Sequence, residues 1–182
     1  LKAHLNAALN AGVKPVQLRE VIYQCAPFIG FPKTLNAIGV FNEVIKERGL
    51  ENELIVCATV TEEDRHEKGA AIQRPLYGNE IAEAMTGLPG DMGSEVARFL
   101  TEFCFGDIYT RRGLDLKTRE LMTIAVLVTN GQTSVLKSHI KGAIKAGNTK
   151  EEVTAAIIQC LPYVGFPNAL ASLKALKELD LK

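Results

Sequence analysis

Gln24-Cys25-Ala26-Pro27-Phe28-Ile29-Gly30-Phe31-Pro32 and Gln159-Cys160-Leu161-Pro162-Tyr163-Val164-Gly165-Phe166-Pro167 are one pattern written twice, 135 positions apart. Proline lacks an amide hydrogen and disfavours helical geometry in the residue before it, so each Gly-Phe-Pro ends one helix and opens another. Extended without gaps, residues 1–47 align with 136–182, and 15 of the 47 positions are identical. The identities include His4/His139, Gly12/Gly147 and Leu35/Leu170. Such clustering in special-purpose residues marks an internal repeat.

Each copy reads as three helices. In the second, the first helix stops at Gly147, a left-handed terminator, and Thr149-Lys150-Glu151-Glu152 forms a capping box for the next. In the first copy, Pro15 takes the first-turn position, where a missing amide hydrogen costs nothing. The third helices start at Pro32 and Pro167. Between the copies, Leu54-Ile55-Val56-Cys57 is a short apolar stretch without an assignment, and Thr61 to Lys68 is a charged helix start or linker. Gly87-Leu88-Pro89-Gly90-Asp91 is a loop. A helix is expected from about Gly93 to Phe105, then a turn at Arg111-Arg112-Gly113, then a helix capped by Asp115. No segment alternates as a strand does, so the fold class is all-α.

Of 182 residues, 47% are apolar and 23% charged, with 21 basic and 21 acidic side chains balancing to zero. That balance argues against nucleic acid or an anionic membrane as partner, since both need a basic surface. No apolar run reaches membrane-spanning length. Leu1 to Asn6 reads as helix, unlike a signal peptide, and the missing initiator Met leads us to expect a natural start further upstream. Cys25, Cys57, Cys104 and Cys160 are scattered, with no metal-binding spacing. Buried reduced thiols and a cytoplasmic setting are expected.

Polar residues stand where core is expected. Leu116, Glu120, Ile124 and Leu127 share one helix face, so Glu120 interrupts an apolar stripe. Burial raises a carboxyl pKa towards the range of a neutral-pH acid or base, although an ion pair at a solvated edge gives the same pattern. His139 lies within the face of Val135, Leu136, Ile140 and Ala143, as a proton-transfer group or a packed core histidine. His4 holds the equivalent position. Arg111 has the geometry to bind a substrate carboxylate, or is a solvated surface residue. Gln24 and Gln159 precede the helix-breaking prolines and are expected to bond into the same pocket; Tyr163 is core or pocket lining, and Cys25 and Cys160 are packing residues.

Phe105-Gly106-Asp107-Ile108-Tyr109-Thr110-Arg111, with Asp115-x-x-Thr118-Arg119-Glu120-Leu121, resembles the carboxymuconolactone decarboxylase family. So do Leu136-x-x-His139-Ile140-x-x-Ala143 and Gln159-x-x-x-Tyr163-x-Gly165-x-Pro167. On that resemblance residues 65–182 form a complete module, 51–64 a linker, and 1–50 the C-terminal half of a preceding module. The resemblance implies the helical fold of alkylhydroperoxidase D and a homo-oligomer, trimer or hexamer. It also implies a small-molecule substrate, no cofactor and no metal. In its decarboxylase branch, 4-carboxymuconolactone loses carbon dioxide. Glu120 and His139 would share proton transfer and oxyanion stabilisation, with Arg111, Gln159, Tyr163 and His4 as substrate-binding candidates. The peroxidase branch needs Cys-x-x-Cys before the histidine, where this chain has Gln132 and Val135. A thiol peroxidase and a non-catalytic helical binder remain as alternatives. Arg112 stands where relatives commonly carry proline, and Asn130-Gly131-Gln132 replaces the peroxidase-type loop, which leaves the substrate open.

Overall fold

The computed structural model describes residues 1–180, and every regular element among them is helical. In chain order these are α1 (Lys2–Asn10), α2 (Pro15–Arg48), a 3-10 turn (Glu51–Glu53), α3 (Arg65–Tyr77), α4 (Glu80–Ala84) and α5 (Met92–Phe99). A π-helix (Leu100–Tyr109), α6 (Leu116–Thr129), α7 (Thr133–Lys145), α8 (Lys150–Gln159) and α9 (Leu161–Lys177) follow. No helix among the described residues is long and apolar enough to cross a membrane.

Local chemistry accounts for the boundaries. The Thr149 hydroxyl accepts from the Glu152 amide and the Glu152 side chain reaches back, closing the capping box that opens α8. Asp115 caps α6 by accepting from the Thr118 amide at 2.8 Å. Within α2, Gly30 has φ 78° and ψ 164°; within α9, Gly165 has φ 72° and ψ 169°. That backbone region suits glycine alone, so both Gly-Phe-Pro sequences bend the chain in the same way.

The helix expected from about Gly93 to Phe105 differs. It starts at Met92 and passes from Phe99 into π-helical turns that run to Tyr109. A pattern read at 3.6 residues per turn carries no signal for the wider turn. The π-helix lies backbone to backbone on α3: a Cβ added to Gly69 would sit 2.7 Å from the Gly106 nitrogen. Leu54 to Cys57 forms no regular element, but the Arg112 amide donates to the Cys57 carbonyl at 3.0 Å and pins it.

Three apolar clusters hold the fold. Ile124, Val128, Leu136, Ile140, Val153 and Ile157 join α6, α7 and α8. Leu5, Leu18, Ile22, Phe41, Val44 and Ile45 join α1 to both arms of α2. Leu76, Tyr77, Cys104, Phe105 and Tyr109 join α3 to the π-helix. Each such side chain contributes about 1.5–3 kcal/mol when fully buried. Phe28, just before the Gly30 bend, packs against the first and third clusters. The place where α3, the π-helix, α6, α7 and this corner of α2 converge is the chemically unusual part of the molecule.

Candidate active site

Arg119, Glu120, Thr123 and Ile124 on α6 are all completely buried. The Glu120 Oε2 atom accepts a hydrogen bond from the Tyr77 hydroxyl at 2.5 Å. The same hydroxyl lies 2.9 Å from His139 Nδ1, which is 4.0 Å from Glu120 Oε2. Tyr77 is therefore the link between an acid on α6 and an imidazole on α7. Sequence reasoning missed it, because it ends α3, 43 positions from Glu120. A signal existed in Gly142, inside α7 one turn beyond His139. A Cβ there would meet the Tyr77 hydroxyl at 2.5 Å, so glycine opens the path by which the phenol crosses α7. An interior helix glycine costs about 1 kcal/mol and marks such close approaches.

Electrostatics separate the three groups. Burial raises Glu120 to about 7, opposed by the hydroxyls of Tyr77 and Tyr109. Its Oε1 atom has no hydrogen-bond partner of ordinary geometry, which leaves the ionised form poorly satisfied. Burial lowers His139 to about 4, against the attraction of Glu80. Burial and then the Glu120 charge push the Tyr77 phenol far above its ordinary value. Near neutrality the phenol keeps its proton, the imidazole is neutral, and the carboxyl group is the one that titrates.

Tyr77 and His139 face a cavity of about 310 Å³ whose remaining walls include Phe28, Ile81, Leu100 and Val135. Glu80 also lines it and accepts from the Ser138 hydroxyl. No lysine or arginine lines it among the described residues. Nor does any group of three or more His, Cys, Asp and Glu there have the arrangement to hold a metal ion.

The other candidates fall elsewhere. Arg111 donates to both oxygens of the fully buried Glu20, Nε to Oε2 at 2.7 Å and Nη2 to Oε1 at 3.0 Å. Its guanidinium stacks 4.8 Å from the Tyr23 ring. It fastens α2 to the turn before α6 and does not line the cavity. Gln159 is exposed. Tyr163 and His4 are also exposed and form a separate pair, hydroxyl to Nε2 at 3.3 Å. Gln24, by contrast, is completely buried. It accepts from Arg119 at 2.9 Å and donates to Thr123 at 3.2 Å, and Thr123 is 2.9 Å from the Tyr109 hydroxyl. All four cysteines are free. Cys104 is on the cavity wall, where burial and the Glu120 charge push its thiol far up; burial raises Cys25 to about 11.

The model of the carboxymuconolactone decarboxylase family matches residues 1–43 and 94–178. The chain is similar to a 4-carboxymuconolactone decarboxylase of Acinetobacter baylyi, 28% identical over 120 residues, which cover 66% of this chain and 90% of that protein. It is also similar to a nitrosuccinic acid decarboxylase of Metarhizium robertsii, 25% identical over 107 residues, covering 59% and 75% respectively. A third relative, peroxisomal protein 2 of Schizosaccharomyces pombe, is 25% identical over 142 residues, 77% of this chain and 65% of that one. With two matched segments that together span most of its length, and with described residues that are wholly helical around a buried glutamate and a half-buried histidine, the chain belongs to the carboxymuconolactone decarboxylase family.

Proposed function

We propose that this chain is a cofactor-free decarboxylase of a small lactone acid of the 4-carboxymuconolactone type, with Tyr77 and His139 facing the substrate and Glu120 behind them. The observation that carries this reading is the unbroken Glu120–Tyr77–His139 line, ending at an apolar cavity and starting at a carboxyl group that titrates near neutrality. The two decarboxylases among its relatives support the reaction type.

The line has two states that differ by one proton. With Glu120 ionised, Tyr77 donates to it, His139 Nδ1–H donates to Tyr77, and Nε2 is an acceptor. With Glu120 protonated, the carboxyl donates to Tyr77, Tyr77 donates to Nδ1, and Nε2 carries the hydrogen. In the second state Nε2–H donates to the lactone carbonyl oxygen. Breaking the bond to the carboxylate releases carbon dioxide and leaves the electron pair in the lactone as an enolate. His139 returns a proton to carbon, drawn through Tyr77 from Glu120, and solvent then restores Glu120. One carbon dioxide leaves and one proton replaces it. General acid work of this kind requires protonated Glu120, so the rate falls as pH rises through about 7.

Cys104 does not favour the peroxidase alternative, because a thiol pushed so far up supplies almost no thiolate. The test is loss of 4-carboxymuconolactone followed by absorbance, wild type beside His139→Asn. Turnover by the wild type with loss in the variant supports the reading; no turnover by either, or equal turnover, overturns it.

A further inference from the structure

We propose that Gln24 is a positioning residue for the Glu120–Tyr77–His139 line. It fixes the direction of a second chain of hydrogen bonds, through Thr123 to Tyr109, so that the Tyr109 hydroxyl donates to Glu120 and accepts nothing from it. The kinetic part of this inference rests on the decarboxylase reading; the direction of the chain does not.

Donor counting sets that direction. Arg119, Gln24, Thr123 and Tyr109 are all buried, so each of their protons needs an acceptor within the protein. A guanidinium only donates, and Arg119 Nη1 donates to Gln24 Oε1 at 2.9 Å. The Gln24 amide nitrogen is therefore the atom turned to Thr123, where it donates to Oγ1 at 3.2 Å. An amide nitrogen accepts nothing, so the Thr123 proton goes to its other side-chain partner, the Tyr109 hydroxyl 2.9 Å away. Tyr109 keeps its own proton for Glu120, whose ionised form that hydroxyl favours. The carboxyl has room for it, because Tyr77 occupies Oε2 and leaves Oε1 without a partner of ordinary geometry.

The other neighbours of Glu120 do not compete. Tyr77 faces it from α3, Cys104 and Tyr109 from the π-helix, and His139 from α7. The charges that α2 brings to α6, on Arg19 and Glu20, engage each other, Arg111 and Arg119. Helices α8 and α9 meet α6 through apolar side chains, the Cys160 thiol against the Ala125 carbonyl, and an exposed Lys117–Glu152 pair. With Tyr109 held as a donor, Tyr77 is the hydroxyl that can reverse its bond to Glu120, and the proton stays on the route to His139. Gln24 belongs to the first copy of the repeat, so that copy sets the proton route in the second.

Gln24→Glu keeps the shape and reverses the chain. A carboxylate there accepts from both Arg119 and Thr123, Thr123 accepts from Tyr109, and Tyr109 turns away from Glu120. The Glu120 titration is read by carbon-13 resonance of labelled glutamate side chains and assigned by its absence in Glu120→Gln. It should rise by roughly one pH unit in Gln24→Glu, and the alkaline limb of 4-carboxymuconolactone turnover should rise with it. In a Thr123→Val background, where the chain is cut, the same change should move Glu120 less than about a third as far. An unmoved titration in Gln24→Glu overturns the assignment. So does an equal displacement in the Thr123→Val background, which would be the bare charge of the new carboxylate. Tyr109→Phe tests the last link even where Gln24→Glu does not fold: Glu120 should rise there too, and an unmoved value overturns the proposal. The resonance measurement needs no substrate, so it decides the direction of the chain even if no lactone is decarboxylated. A limb that stays in place while the titration moves overturns the positioning role.

Discussion

His139 and His4 occupy the same place in the repeated sequence and live in opposite surroundings. His139 is packed between Tyr77 and Phe28, with ring centroids 5.1 Å and 5.8 Å away, and its basicity is suppressed by burial. His4 lies on the surface against Tyr163, ring centroids 5.7 Å apart. The aromatic partners are themselves equivalent, since Phe28 and Tyr163 are 135 positions apart. The glutamines diverge likewise, Gln24 being buried against α6 and Gln159 exposed. What separates the environments is α6, which lies against α2 and α7 and brings Glu120 to one histidine only. A histidine on a helix face loses basicity when a second element packs against it, and gains a hydrogen-bonded link to an acid when that element supplies one.

The largest effect expected from this contrast is in turnover. Glu120→Gln should lower kcat by roughly 10²–10⁴-fold, while His4→Asn should stay within about twofold. Comparable losses in both variants would erase the distinction. Tyr77→Phe should cost about 10²-fold. Because its hydroxyl favours the Glu120 carboxylate, its removal should also move the alkaline limb of the pH–rate profile upward. A limb that stays in place would take Tyr77 out of the relay.

Stability against pH sharpens the contrast further. Glu120, raised from 4.5 to about 7, makes the fold lose stability as pH rises through that interval, because the unfolded chain ionises there and the folded one does not. His139, lowered from 6.5 to about 4, has the opposite sign: its contribution is complete above 6.5 and lost as pH falls towards 4. In the wild type the two nearly cancel between about 4.5 and 6.5. Denaturant melts of His139→Asn should show stability falling with rising pH, and those of Glu120→Gln should show it rising. Each swing amounts to about 3 kcal/mol. Flat curves in both variants would contradict the opposed shifts. The smallest effect concerns the glutamines: Gln24→Ala should cost about 1–3 kcal/mol by stranding Arg119 and Thr123, and Gln159→Ala about 0.5 kcal/mol or less. Equal costs would mean that burial of Gln24 contributes nothing.

Much of the fold was legible along the chain. Gly147 stops α7 and Asp115 starts α6 through bonds to residues a few positions away, and Gly30 and Gly165 bend the chain through their own backbone angles. The π-helical turns escaped because their register is set by the approach of Gly69 and Gly106 across two helices. The candidate site was half legible. Glu120 and His139 stand out as polar residues on apolar faces, but a face says only that something covers it. Arg111 reads locally as a ligand for a substrate carboxylate, and its partner in the fold, Glu20, lies 91 positions away with no local mark.

The sequence by itself determined the helices, their caps and bends, and the two polar residues placed on apolar stripes, because these depend on backbone sterics and on a periodicity of three to four residues. Only the tertiary structure decided that Tyr77 joins Glu120 to His139, that Arg111 is tied to Glu20, and that His139 is packed between Tyr77 and Phe28 while His4 lies on the surface. Proton affinity and hydrogen-bond partnership depend on which distant side chains exclude water and meet within 3 Å, and chain-local patterns hold no record of those distances.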